Sequence, residues 1–252
     1  MSAQPPGYKI TDSAMDVQQT AMQSKIIGVV QLKGGAGRST IATNVAAALS
    51  QQFPVTLIDC DLPQGTSASW GAIRAENGRM GNLHIATASD HRELIDKVRE
   101  FSRTQAFILI DGPPRVAEIT RAILVMSDLC LLPLGASAAE IWALSDLYAT
   151  IDEARRDRYQ ADARIVWNRY RKQTRSAREF SDAVQEEMAL PQLQSHLSFR
   201  VAYSDVLARG LWVGEWHDQT AKSEINALTA EIAACLGAGP SADILSGSRR
   251  IK

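Results

Sequence analysis

Cysteine is scarce in this sequence, and no two cysteines lie close together. Three occur in 252 residues, at positions 60, 130 and 235. The odd number and the lack of a C-x-x-C pair argue against a disulfide framework and favour a reducing, cytosolic compartment. The four histidines, at positions 84, 91, 196 and 217, show no metal-ligand spacing, so a histidine metal centre is not predicted.

Long apolar runs and an excess of one charge are also missing. No stretch approaches the 18 apolar residues of a membrane-spanning helix, and the first residues lack the charged-then-apolar order of a signal peptide. Because the formal net charge is −1, any contact with nucleic acid has to come from a local basic patch. The G-x-S-x-G elbow of serine hydrolases is absent as well.

The remaining composition is that of a globular domain, with 45% hydrophobic and 22% charged residues. The length allows one large domain or at most two small ones, and we place a single domain at residues 25–236. Residues 1–24 are polar and contain two prolines, which predicts a disordered extension. The Gly- and Ser-rich residues 237–252 predict a flexible tail.

Apolar and amphipathic segments alternate from Lys25 onward. Because the apolar runs are continuous, we predict strands that are buried on both faces of a sheet. Alternation with helices predicts an α/β fold, a doubly wound and mostly parallel sheet with helices on both faces. The predicted strands are 25–32, 55–60, 83–87, 106–111, 129–134 and 164–168, and the predicted helices are 39–51, 90–103, 115–126, 138–156, 174–188 and 218–236.

A glycine-rich loop, QLKGGAGRST at 31–40, follows the first strand and precedes a helix. Glycines allow positive φ angles and let the backbone approach an anion, and the helix N-terminus adds partial positive charge. A serine or threonine that opens the helix can ligate Mg²⁺. However, neither G-x-x-x-x-G-K-[ST] nor G-x-G-x-x-G is satisfied, so a tight turn that caps a buried strand is the alternative.

Three carboxylates favour the phosphate-binding interpretation. Asp59 and Asp61 stand at the end of the second predicted strand, and Asp111 stands at the end of another. In an open parallel sheet, ligands bind at the carboxyl ends of the strands. Carboxylates there, beside a glycine loop, predict a site for Mg²⁺ and a nucleotide.

Several segments together resemble the ParA/MinD superfamily of ATPases. LKGGAGRST resembles its deviant Walker A motif, K-G-G-x-x-K-[ST]. The other segments, in chain order, are LIDCDLPQGTSASW, FILIDGPP, LCLLPLGASAAEIWAL, IVWNR and SFRVAYSDVLARGLWVGEW. The match covers roughly residues 25–236, and the ParA branch, which includes the carboxysome-positioning McdA proteins, fits better than MinD.

The resemblance implies ATP and Mg²⁺ as ligands and a role for each matching residue. Lys33 is the signature lysine, which reaches the nucleotide of the partner in a sandwich dimer. Asp59 and Asp61 orient the attacking water, although which of the two holds it stays open. Ser39 and Asp111 hold Mg²⁺. The implied nucleotide-binding residues are Lys33, Gly34, Gly35, Ala36, Gly37, Arg38, Ser39, Thr40 and Asn168.

Two departures from the family pattern concern the chemistry. Leu62 adds one residue to the usual D-x-D-P-Q spacing, and Arg38 replaces the usual Walker A lysine. Arginine is larger, planar and always charged. We therefore expect ATP binding to survive and hydrolysis, which depends on positioning, to be slow.

A basic segment at 164–178 suggests a surface for DNA. It contains no acidic residue, and its aromatic residues lie among arginines, a pattern typical of weak, salt-dependent DNA binding, although charge runs are often just solvated. The candidate DNA-binding residues are Arg169, Arg171, Lys172, Arg175, Arg200, Arg209 and Lys222. The last helix lacks the basic amphipathic character of membrane-targeting helices, so core packing is predicted for it and no membrane role.

The functional hypotheses are three. The first, implied by the resemblance, is a cytoplasmic, nucleoid-associated ATPase that dimerises on ATP, binds DNA non-specifically and positions a plasmid, a chromosome region or a protein compartment. A ParB-like or McdB-like adaptor stimulates it. The second is an ATP-gated scaffold with negligible hydrolysis because of Arg38. The third is an ATP-dependent biosynthetic enzyme on the same fold.

Overall fold

The chain folds around a seven-stranded sheet with the order β3-β2-β4-β1-β5-β6-β7. The computed structural model describes residues 24–115, 118–157, 162–170, 179–180, 182, 184, 186 and 190–237. All strand pairs in this part of the chain are parallel. The strands are β1 Lys25–Val29, β2 Val55–Asp59, β3 Leu83–Thr87, β4 Phe107–Asp111, β5 Leu129–Leu134, β6 Ala163–Tyr170 and β7 Gln192–Ser198.

The six predicted strands are confirmed, and the central ones are covered on both faces. Every residue of β2, β4 and β5 is buried, because their side chains point alternately into two apolar layers. Leu57 and Leu109 belong to one layer, and Ile58 and Ile110 belong to the other. Cys130 is also buried in this core, as its place in an apolar strand predicts.

Helices cover both faces of the sheet and so confirm the doubly wound α/β arrangement. Helices α1, α2, α6 and α7 pack on one face, and α3, α4 and α5 pack on the other. Their bounds are α1 Arg38–Leu49, α2 Thr66–Glu76, α3 His91–Phe101, α4 Glu118–Met126, α5 Ala138–Asp157, α6 Val201–Ala208 and α7 Gln219–Cys235, with a 3₁₀ turn at Val213–Glu215.

The helix predictions are confirmed where the structure describes them. The predicted apolar side is buried in the core; it consists of Ile225, Leu228 and Ile232 of α7 and of Leu236 directly after the helix. Helices α2 and α6 are not among the predicted elements. The predicted helix at 174–188, the extension at 1–24 and the tail at 237–252 lie almost entirely outside the described residues. Among the described helices, none has the length and apolar composition of a membrane span.

Strand β7 is an edge strand that the sequence pattern misses. Only Leu193 and Leu197 are buried among its seven residues, so the apolar signal is weak. Two glutamates of α7 bind its free edge. The Glu231 carboxylate accepts hydrogen bonds from the backbone N–H groups of Gln194 and Ser195. The Glu224 carboxylate accepts one from the backbone N–H of Ser198 at 3.1 Å. These contacts protect an edge that would otherwise be open to pairing.

Helix α2 is anchored to the segment that follows α6. The Trp70 indole donates to the Leu211 carbonyl at 2.7 Å. Arg74, which is 2% exposed, forms two hydrogen bonds with the Glu215 carboxylate and one with the Gly210 carbonyl. These bonds fix the position of α2, and therefore of the loop between β2 and α2 that carries Asp61.

Candidate functional site

The strand order places the predicted site residues at one edge of the sheet. Strand β1 lies between β4 and β5, and the chain continues to either side of it. The carboxyl ends of β1, β2 and β4 are therefore neighbours, with Val29 paired to Asp111 and Asp111 paired to Asp59. This is where an open parallel sheet binds its ligand.

The loop after β1 has the backbone of an anion-binding turn. Gly35 and Gly37 have φ angles of 77° and 100°, which other residues adopt only with strain. A Cβ on Gly37 would also lie 2.0 Å from the Asn168 Nδ2 atom. Gly34 and Gly35 are exposed, and the loop leads directly into α1. The backbone amides of the loop therefore lie next to the positive end of the α1 helix dipole.

Arg38 lies beneath this loop, with its side chain only 6% exposed. Its Nε donates to the Gly112 carbonyl at 2.8 Å, and its Nη1 donates to the carbonyls of Gln31 and Lys33 at 2.7 and 2.9 Å. Two of the three guanidinium nitrogens thus bind the backbone, and they join the glycine loop to the end of β4. Sequence patterns alone suggested only a phosphate contact here.

The two aspartates after β2 have different surroundings. Asp59 is fully buried, and its carboxylate oxygens accept hydrogen bonds from the Asp61 amide at 3.0 Å and the Ala68 amide at 2.8 Å. Asp61 is more open, and its Oδ2 lies 3.4 Å from Arg38 Nη2. Asp59 therefore shapes the loop, whereas the Asp61 carboxylate faces the site.

Asp111 carries a polar atom that is buried without a partner. Its Oδ2 accepts a hydrogen bond from the Ser67 hydroxyl at 2.7 Å, whereas Oδ1 is buried and makes no hydrogen bond. Burial raises the pKa of Asp111 to about 7, although the Ser67 and Ser39 hydroxyls oppose the rise. A cation beside Oδ1 would satisfy it, and carboxylate and hydroxyl oxygens suit Mg²⁺.

Ser67 is a site residue that the sequence analysis missed. It lies in the first turn of α2, near Thr66 and Ser69, and nothing in the spacing distinguishes it from these neighbours. Only the packing of α2 against the sheet brings its hydroxyl to Asp111.

Lys33 stands at the rim of the site, with its side chain 38% exposed. Its Nζ lies 3.9 Å from the Glu140 carboxylate, which also accepts a hydrogen bond from the Gly135 amide. Glu140 belongs to the first turn of α5. The ammonium group is thus held at the surface and is accessible from outside the subunit.

A cavity of about 310 Å³ adjoins the loop on the side of β6. The Asn168 amide donates to the Ala36 carbonyl at 2.7 Å and accepts from the Arg169 amide, which fixes it at the base of this cavity. The lining residues are Gly37, Thr40, Asn168, Arg169, Ser198, Phe199, Arg200, Val201, Tyr203, Ser204 and Leu207. The volume and position suit a nucleoside whose phosphates lie on the glycine loop.

The predicted basic surface is only partly described. Arg171, Lys172 and Arg175 lie outside the described residues. Arg200 forms an ion pair of 2.6 Å with Asp218, and Arg209 lies 3.9 Å from the Asp205 carboxylate and over the Trp216 ring.

The other predicted basic residues differ in their surroundings. Arg169 is exposed at the cavity, and Lys222 is half-buried on α7. Arg164, at the start of the basic segment, pairs with Asp162 at 2.8 Å. The described part of the surface is therefore less basic than the sequence suggests.

Comparison with known proteins agrees with this geometry. The family model for the CobQ/CobB/MinD/ParA nucleotide binding domain matches residues 27–213. Maintenance of carboxysome distribution protein A of Halothiobacillus neapolitanus is 27% identical over 212 residues, which are 82% of this chain and 95% of that protein.

Solved structures show the same fold. A Cyanothece McdA variant in complex with ATP aligns with a TM-score of 0.69 at 15% identity, over 85% of this chain and 97% of that one. MinD of Pyrococcus horikoshii, complexed with Mg-ADP, gives a TM-score of 0.67 at 18% identity, over 85% and 98% of the two chains. With a matching model over most of its length and the glycine loop in place, the chain belongs to the CobQ/CobB/MinD/ParA nucleotide-binding domain family.

Proposed function

We propose that this protein is a ParA-type ATPase that binds Mg-ATP, forms a sandwich dimer, binds DNA without sequence preference and positions a cargo with the help of an adaptor protein. The observation that carries the proposal is one cluster at the carboxyl edge of the sheet. It contains a glycine loop at a helix N-terminus, the buried carboxylate of Asp111, and the carboxylate of Asp61 facing the same space.

In this proposal the loop amides of residues 34–37 bind the phosphates, and the cavity at Asn168 holds the adenine. Asp111 and the Ser39 hydroxyl hold Mg²⁺, which neutralises phosphate charge when it is bound. The Asp61 carboxylate orients the attacking water, because Asp59 already accepts two backbone hydrogen bonds. Asp59 is then a positioning residue rather than the water ligand.

Dimerisation gives Lys33 its function. Its side chain is partly exposed at the rim, so a second subunit facing the loop brings each ammonium to the partner's phosphates. To reach the other subunit, the Lys33 side chain has to leave Glu140, which is its only ion pair among the described residues. We expect the dimer to form with a bound triphosphate, because each ammonium then has a phosphate of the other subunit to contact.

The cargo and its adaptor are inferred from the relatives. A protein that maintains carboxysome distribution matches most of this chain, and ParA proteins share the family, so a ParB-like or McdB-like adaptor and a cytoplasmic, nucleoid-associated location are proposed. The residues proposed to contact DNA are Arg169, Arg171, Lys172, Arg175, Arg200, Arg209 and Lys222.

Arg38 favours a second candidate function. Because Nε and Nη1 bind backbone carbonyls, the guanidinium has less freedom to follow the phosphate during transfer than a lysine has. An ATP-gated scaffold with negligible hydrolysis is consistent with this geometry. Phosphate release stimulated by DNA and adaptor distinguishes the two functions, since a scaffold shows none.

The proposal is tested by three measurements on the full chain. Size-exclusion chromatography with light scattering should give a dimer with Mg-ATP and a monomer with ADP. Retention of arbitrary duplex DNA should require ATP and should decrease steeply with salt. Lys33→Ala is expected to bind ATP and remain monomeric, with Lys25→Ala as the control. A wild-type chain that stays monomeric and binds DNA equally with ATP, ADP or no nucleotide refutes the proposal.

A further inference from the structure

Arg38 and Asp61 contact each other beside the glycine loop, where the proposed function places the phosphates. Arg38 Nη2 lies 3.4 Å from Asp61 Oδ2, and both side chains are largely buried, with exposed fractions of 6% and 13%. Nη2 is the one nitrogen of Arg38 that does not bond a backbone carbonyl. It is therefore the part of the guanidinium that is available to a ligand.

The remaining bonds of Arg38 hold the guanidinium in one orientation. Nε is fixed by the end of β4 through Gly112, and Nη1 is fixed by the loop through Gln31 and Lys33. Because the guanidinium is planar, its third nitrogen cannot turn independently of the other two. Nη2 can donate to another acceptor in place of Asp61 without any change in the three bonds to the backbone.

We propose that Arg38 is a specificity-determining residue that makes the site selective for ATP over ADP, by holding Asp61 until a γ-phosphate takes its place on Nη2. This inference rests on the proposed function. A γ-phosphate oxygen is a stronger competitor for a guanidinium N–H than a diphosphate that ends one group short of it. Release then leaves the Asp61 carboxylate free to orient the attacking water.

A lysine at this position cannot form the same connection. Its side chain ends near the point where the guanidinium carbon of Arg38 stands, one bond short of Nη2, so it lacks the nitrogen that contacts Asp61. The coupling between positions 38 and 61 is thus a property of arginine, and Arg38→Lys removes it while a positive charge remains.

A double-mutant cycle with Arg38→Lys and Asp61→Asn measures this coupling. Affinities for AMPPNP and for ADP, each with Mg²⁺, are obtained by calorimetry for all four chains. In the Arg38 chain, Asp61→Asn should tighten AMPPNP about fivefold and leave ADP within about twofold. In the Arg38→Lys chain, the same substitution should change AMPPNP binding by less than about twofold.

Two outcomes would overturn the role assigned to Arg38. If Asp61 only repels phosphate by its charge, Asp61→Asn tightens AMPPNP equally in both backgrounds, and the inference is wrong. If Arg38 is merely structural, its substitution weakens the binding of AMPPNP and of ADP equally, and this result also overturns the inference. If Arg38→Lys does not fold by circular dichroism, the cycle is run with Arg38→Gln. A wild-type chain that binds neither nucleotide refutes the proposed function itself, whereas binding without coupling refutes only the selectivity assigned to Arg38.

Discussion

Asp111 is expected to destabilise the protein in the absence of nucleotide. Its carboxyl is fully buried, one oxygen has no hydrogen-bond partner, and burial raises its pKa from 3.8 to about 7. Above pH 7 the folded chain must hold a buried negative charge. Replacement by asparagine removes that charge and keeps an oxygen that can accept the Ser67 hydrogen bond.

The size of the effect follows from the difference in pKa. A pKa about three higher in the folded than in the unfolded chain costs about 4 kcal/mol of folding free energy at high pH. The asparagine amide group, which replaces an oxygen without a partner, costs about 1 to 3 kcal/mol. Asp111→Asn should therefore stabilise the nucleotide-free protein by about 1 to 3 kcal/mol at pH 8, a rise of about 3 °C or more in Tm.

The sign of the pH dependence is specific. Because the folded chain binds the proton more tightly than the unfolded chain, wild type loses stability as pH rises from about 4 to about 7, and Asp111→Asn lacks this loss. The advantage of the variant should therefore shrink by about 2 to 3 kcal/mol between pH 8 and pH 5.

Urea unfolding in EDTA at several pH values measures both quantities. Asp205→Asn is the control, because its carboxylate is 40% exposed on α6 and its removal should change stability by no more than about 0.5 kcal/mol. A difference between wild type and Asp111→Asn that stays constant from pH 5 to pH 8 would refute the reasoning. The variant should also lose Mg²⁺-dependent nucleotide binding.

Two further substitutions test the framework around the site. An alanine at position 37 would have to adopt a positive φ angle, and its Cβ would overlap Asn168. Gly37→Ala should therefore lower stability by about 1 to 3 kcal/mol and abolish nucleotide binding. As the control, Gly34→Ala should leave the Tm near wild type, because no atom lies within 4 Å of the added Cβ. Arg74→Met removes one side of a buried ion pair and should cost about 3 kcal/mol, measured by urea unfolding. Arg79→Met removes an exposed contact to the same carboxylate and should cost less than about 1 kcal/mol; equal costs for the two arginines would contradict the assigned burial.

The strands of the sheet centre could be predicted because their signal is local. A short, continuous apolar run such as FILID favours a strand covered on both faces, and β4 is buried throughout. Strand β7 fails this test, since its two buried leucines are separated by three polar residues. Its backbone amides are also bound by Glu224 and Glu231 of α7, which are distant in sequence and which no window around β7 contains.

The amino-acid sequence alone determined the glycine loop, the acidic strand ends and the order of the first six strands, since these depend on backbone freedom and on apolar periodicity along the chain. Only the tertiary structure decided what each charged group does. In the folded chain, Arg38 lies beneath the loop, and the Asp59 carboxylate accepts hydrogen bonds from the backbone. The Asp61 carboxylate faces the candidate site, and the Ser67 hydroxyl donates to Asp111. The reason is that burial and hydrogen bonding depend on neighbours in space, and a residue's neighbours exist only once the sheet has assembled.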